Sequence, residues 1–273
     1  MAASFGFRLG SCFAGVLALA TPVNARQGET PIGRVGPQAA RDAIATHFIP
    51  AIPLEALLLD DEPVRGEPVR FAEPLATFLT PETHGTWEER ADGSRVWRLR
   101  IEAPGATDLN MGFGTWRVPA GTKLWVVSEV RDWYEGPYGE TDNAEHGELW
   151  LPVVPGSRAR IEMLVPAARK FEPEVALTQV GYGFRDWFDL EAPVLRQGAC
   201  NNDVICPEGD PWRDEIASVA VYQLGGFWTC TGTMVMDAAA DFKPYFLTAN
   251  HCGIDAGDDH TMVVYWNFES PVC

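Results

Sequence analysis

The stretch Tyr245-Phe-Leu-Thr-Ala-Asn-His-Cys252 decides how this chain is read. Its apolar start, Tyr245 to Leu247, has the pattern of a buried strand, and that strand delivers one histidine, His251, beside a cysteine at its end. Upstream, Phe227-Trp-Thr-Cys-Thr-Gly-Thr-Met-Val235 is a second strand pattern, with Cys230 inside it and Gly232 where another backbone can approach closely. A disulfide between Cys230 and Cys252 would tie the two strands together and fix the turn that carries the histidine. By the loop-entropy account, a bridge over this span stabilises by about 3 kcal/mol.

The order C-T-G-T followed by Y-F-L-T-A-N-H-C resembles the region around the general-base histidine of chymotrypsin-like serine peptidases. Cys200-Asn-Asn-Asp-Val-Ile-Cys206-Pro-Glu-Gly-Asp210 upstream and Val263-Val-Tyr-Trp-Asn267 downstream narrow the likeness. Together they resemble the lysyl endopeptidase-like branch, secreted enzymes that cleave after lysine. The likeness is dense from about Cys200 to Cys273. It implies an all-β peptidase domain whose first β-barrel is partly contained in residues 197–273, with His251 as the base. It also implies disulfides Cys230–Cys252 and Cys206–Cys273, and a Cys200 whose partner lies further downstream, so that Cys200 is unpaired in this chain. Finally, it implies an N-terminal propeptide ahead of the catalytic domain, acting as a folding aid or latency domain.

The chemistry sets further demands. A serine hydroxyl becomes a competent nucleophile only when a base of near-neutral pKa takes its proton, and histidine suits that task. The base needs an orienting carboxylate, and the tetrahedral intermediate needs hydrogen-bond donors for its oxyanion. In the family these groups follow the histidine in the order Asp, Ser, at separations longer than the 22 residues left after His251. Asp255, Asp258 and Asp259 are too close along the chain to serve as the orienter, and Ser270 has no G-D-S-G-G-like surroundings. The 273 residues are therefore expected to be inactive as they stand, as part of a longer reading frame or a truncated product. The alternative from a different class is a non-catalytic secreted β-rich binding protein, a decayed peptidase. Two metal readings are weaker. His251, Cys252 and His260 fit no closed four-ligand zinc pattern. Asp255-Ala-Gly-Asp-Asp259 offers oxygen ligands for calcium but lacks the twelve-residue loop ending in glutamate. No cofactor and no metal are expected.

A net charge of −17 argues against a nucleic-acid partner. Much of it lies late in the chain, because from Gln197 onward there are 11 acidic residues and only two basic ones, Arg213 and Lys243. The N-terminus reads as an export signal spanning residues 1–25, with Arg8, an apolar run from Cys12 to Ala20 and Val23-Asn-Ala25 as the cleavage site. That run is too short for a lasting membrane anchor, so the mature protein is expected to be secreted or periplasmic, with no membrane association and with polypeptides as substrates. Export places the five remaining cysteines, Cys200, Cys206, Cys230, Cys252 and Cys273, where disulfides form, and their odd number leaves one without a partner.

Residues 26–196 read as a separate β-rich module. In Val96-Trp-Arg-Leu-Arg-Ile101 the apolar residues alternate with Arg98 and Arg100, the signature of a half-buried strand. Similar runs recur at 122–128, 148–154, 160–165 and 175–180, separated by glycine and proline, which suggests a β-sandwich or jelly-roll-like module. Residues 37–45 suggest one short helix, and the proline-rich 50–74 stretch is expected to break any regular element. Trp133, Tyr134 and Tyr138 could form a binding platform, although capping the sandwich core is the commoner role. His47, His84 and His146 are isolated from one another along the sequence. In the C-terminal part, strands are expected at 216–222, 227–235, 245–248 and 262–267. Arg196 is a plausible site of proteolytic maturation.

Overall fold

A computed structural model describes residues 28–35, 43–59, 67–188, 202–239, 241–269 and 273. The expected export signal, the maturation site near Arg196, Cys200 and Ser270 lie outside these residues. The chain is mostly β, as its alternation patterns predict.

Two sheets share one core in the N-terminal part. The first contains β1 (Thr46–Phe48), β4 (Thr86–Glu89), β5 (Arg95–Glu102), β7 (Lys123–Ser128), β8 (Tyr134–Tyr138) and β11 (Arg158–Val165), in the order β1-β5-β11-β7-β8 with β4 also on β5. The second contains β3 (Ala72–Leu79), β6 (Asp108–Arg117), β9 (Leu149–Trp150), β10 (Val154–Pro155) and β12 (Glu174–Gly183), in the order β10-β6-β12-β3 with β9 also on β6. Trp97, Leu99 and Ile101 of β5 and Met111 and Phe113 of β6 are fully buried in one apolar cluster. Trp133 and Tyr138 belong to the same cluster at 5% exposure each, so they form part of the core and offer no open platform. Four of the expected runs correspond to β5, β7, β11 and β12, whereas 148–154 contains two short strands.

Three expectations need correction. The arginine face of β5 is covered: Arg98 is 8% exposed and pairs with Glu88, and Arg100 is half-buried against Glu129. Acidic partners on neighbouring elements make that burial tolerable. The 50–74 stretch holds a short helix, α2 (Leu54–Leu59), preceded by α1 (Ile32–Val35) earlier in the chain. Pro53 stands just ahead of α2, where its carbonyl accepts from Ala56 N at 3.0 Å, so the proline opens the helix instead of interrupting it. Pro74 sits in β3, an edge strand, where a missing N–H costs no ladder bond on the open side. Of the suggested helix 37–45, residues 37–42 lie outside the described residues, and 43–45 form a turn and irregular chain.

The third sheet holds β13 (Val219–Leu224), β14 (Trp228–Val235), β15 (Tyr245–Thr248) and β16 (Val263–Trp266), in the order β15-β14-β13-β16. The first of these starts later than expected because Arg213–Ile216 forms a helical turn, α3. A two-residue strand of the N-terminal part, β2 (Val69–Arg70), pairs antiparallel with β14.

The third sheet and the sandwich meet along a continuous seam. Phe71, Trp187 and Val153 pack with Val221, Phe227, Tyr265 and Phe268. Asn110 Nδ2 donates to Gln223 Oε1 at 2.8 Å, and Gln223 Nε2 donates to Leu151 O at 2.7 Å, so the buried amides are paired across it, while Asn110 Oδ1 has no hydrogen-bond partner among the described residues. The hairpin Gly225–Gly226 fits against Gln179, whose Nε2 donates to Gly225 O at 2.6 Å. Gly226 has φ 72°, and a Cβ there would collide with the Asn110 side chain, so the approach requires glycine.

Candidate active site

The site is assembled from β14 and β15. Their antiparallel register sets Gly232 opposite Thr248 and Val235 opposite Tyr245. A Cβ on Gly232 would lie 2.9 Å from Leu247 O and inside the Phe246 ring, so this close approach needs a glycine. After Thr248 the chain leaves the sheet in a single 3-10 turn, Asn250–Cys252, whose Cys252 N–H donates to Ala249 O at 3.0 Å. Gly253 ends the turn with φ 72°, the left-handed conformation that glycine adopts without strain.

That turn exposes His251 and buries Cys252 at 4% exposure. Cys252 is bonded to Cys230 with a Cα–Cα distance of 6.1 Å, which anchors the turn to β14. A ring nitrogen of His251 lies within 4.8 Å of both sulfurs, so the imidazole rests beside the bridge and faces solvent. Sulfurs joined in a disulfide are not thiolates, and the three groups therefore do not make a metal set. His260, the third member of the zinc reading, is elsewhere: its Nε2 lies 3.2 Å from a Glu148 carboxylate oxygen. The second disulfide, Cys206–Cys273, spans 67 residues with a Cα–Cα distance of 4.9 Å and closes the C-terminal part on itself.

Behind the turn lies a hydroxyl relay that no sequence pattern announces. Tyr222 of β13 shares a hydrogen bond of 2.9 Å with Thr248 Oγ1, and Thr248 Oγ1 donates to Thr231 O at 2.8 Å. Burial raises the Tyr222 phenol above its ordinary pKa, with the Thr248 bond opposing, so it stays a neutral hydroxyl. The relay links three strands at the root of the histidine turn.

Among the described residues no carboxylate lies within 4 Å of His251. The three late aspartates serve their own loop: Asp255 N donates to an Asp258 carboxylate oxygen at 2.9 Å, Gly257 N donates to an Asp255 carboxylate oxygen at 2.6 Å, and Asp259 approaches His260 at 3.8 Å. The histidines that are isolated along the sequence are paired in space. The His47 and His84 rings stand 6.3 Å apart, and the His146 and His260 rings 5.0 Å apart.

The comparisons follow this division of the chain. The family description "Lysyl endopeptidase, C-terminal domain" matches residues 195–273, and "Lysyl endopeptidase N-terminal domain" matches residues 79–182. A curated lysyl endopeptidase of Pseudomonas aeruginosa is 25% identical over 262 residues, covering 87% of this chain and 55% of that protein. The chain thus spans about half the length of this curated relative. No solved structure matches the chain.

Proposed function

Because this chain belongs to the lysyl endopeptidase-like peptidases, we propose that it is the N-terminal part of a secreted serine endopeptidase precursor in which His251 is the general base. In this reading residues 26–196 are the propeptide module and 197–273 the beginning of the catalytic domain. His251 takes the proton of a serine hydroxyl as that oxygen attacks the peptide carbonyl, and returns it to the departing amine. The serine and the orienting aspartate come from outside these 273 residues. The observation that carries the reading is the presentation of His251: an exposed imidazole on a one-turn rise from β15, held to β14 by the Cys230–Cys252 bridge.

Polypeptides are the proposed substrates, with lysine before the scissile bond. The two disulfides suit an oxidising compartment outside the cytoplasm. No helix among the described residues is long and apolar enough to cross a membrane. A fluorophosphonate probe, which captures a serine activated by a neighbouring base, tests the reading. Applied to the form expressed with its downstream coding sequence and freed of the N-terminal module, it should label the protein, and His251→Ala should abolish the labelling. Labelling that survives His251→Ala would overturn the assignment.

A further inference from the structure

The outer edge of β14 is shared by two strands from different parts of the chain. β15 covers Gly232–Val235, and β2 covers the other end, with Thr229 opposite Val69 and Trp228 opposite Arg70. Between them Thr231 O takes the Thr248 hydroxyl, and Cys230 holds Cys252. His251 follows Thr248 by three residues and precedes the bridged Cys252, so it rises where β15 gives way to β2. A peptide that presents its carbonyl beside this imidazole must lie extended next to it, and Trp228–Thr229 is the stretch of β14 that β15 leaves uncovered for its backbone to pair with.

We propose that Val69–Arg70 of the N-terminal module occupies, as an intramolecular strand, the edge of β14 along which an extended peptide would lie to reach His251. The module thereby keeps the histidine side of the peptidase sheet closed to substrate. The inference rests on the reading of His251 as a peptidase base, and it names the element that enforces latency. β2 is suited to such a role. It is only two residues long and half-buried, yet it is held at its end by Phe71, whose N–H donates to Phe227 O at 2.9 Å and whose ring is fully buried against Trp187. The pairing is therefore secured by the seam and not by β2 itself, and it is lost when the seam opens.

The test uses the isotopically labelled 273-residue chain and a short synthetic peptide with a central lysine, followed by hydrogen exchange and amide resonances. In the wild type the peptide should leave the Trp228, Thr229 and His251 amides unmoved. Val69→Pro removes the strand's donor and loosens it, and Thr229, whose amide faces β2, should then exchange about tenfold faster, the order set by a lost hydrogen bond, while β6 and β12 keep their protection. The peptide should now shift the Trp228, Thr229 and His251 amides saturably. Three results would overturn the proposal: saturable binding at this edge in the wild type, unchanged exchange in the variant, or an opened edge that takes no peptide. If Val69→Pro strips protection from β6 and β12 as well, the double change Pro68→Gly, Val69→Gly loosens the strand without a proline and is held to the same outcomes. The readout is binding, not turnover. Loss of the peptidase reading would show as activity in a longer form that survives His251→Ala, whereas loss of this one would show at the β14 edge.

Discussion

Asp108 shows what single residues contribute that no pattern reveals. Its carboxyl is fully buried at the seam, where one oxygen accepts from Trp187 N at 3.1 Å and from the Thr107 hydroxyl at 2.9 Å, while the other has no hydrogen-bond partner among the described residues. Burial is the leading influence and pushes its pKa up to about 7, with the bonds from Trp187 and Thr107 opposing. The folded chain therefore holds a proton that the unfolded chain releases near pH 4, so the contribution of this group to stability is full below that pH and is lost as pH rises to 7, by about 4 kcal/mol in total. Urea midpoints should fall between pH 5 and pH 8, and Asp108→Asn should flatten that slope; a wild-type midpoint that rises across this range would refute the assignment. An aspartate opening a strand reads in sequence as a polar boundary, which hides its burial. His251 is legible for the opposite reason, since its neighbours in sequence, the apolar strand and Cys252, are also its neighbours in space.

Elements whose partners are local are readable in the sequence, and those defined by distant contacts are not. β14 and β15 are visible as strands from their apolar runs and glycine, but β15 lies at the sheet edge with Tyr245 and Leu247 exposed, not buried as its apolar run suggests. β6, paired with β12 along nearly its whole length, is hidden because Asp108-Leu-Asn-Met-Gly-Phe-Gly lacks the β-branched signature. Its glycines make room for neighbours: a Cβ at Gly112 would press on the Trp150 ring, and one at Gly114 on the Thr178 side chain. β2 is also hidden, in a proline-rich stretch, because its pairing is with a strand distant in the chain. Two glycines separate backbone preference from crowding. Gly147 has φ 71° and open space where an added Cβ would stand, whereas Gly226 has φ 72° and stands against Asn110. Gly147→Ala should cost about 1 kcal/mol and Gly226→Ala about 2 to 3 kcal/mol by denaturant titration, and equal costs would show that the seam yields. The bridges differ by loop length. Paired serine replacements at Cys230 and Cys252, 22 residues apart, should cost about 3 kcal/mol, and those at Cys206 and Cys273, 67 residues apart, about 4 kcal/mol. Denaturant midpoints of the two double variants check the ranking, and the reverse order would count against it.

At the scale of the whole molecule, the sandwich and the third sheet are joined by aromatic packing, paired amides and a shared strand edge. Sequence patterns separate the two parts in kind but give no sign of how they dock, because Asn110, Gln179 and Gln223 look like ordinary polar residues until a partner surface buries them. The paired carboxylates and arginines of the first sheet are hidden in the same way: Glu162 is fully buried because Arg160 donates to it at 2.6 Å and Gly33 N at 2.8 Å. The central claim is that the imidazole presented by β15 drives peptide hydrolysis once the chain is joined to the remainder of its catalytic domain. Hydrolysis of a fluorogenic lysyl peptide tests it most directly. We predict turnover by the extended precursor after removal of the N-terminal module, none after His251→Ala, and none by the 273-residue chain alone. Turnover by the 273-residue chain that disappears with His251→Ala, or turnover by the extended form that survives that change, would contradict it.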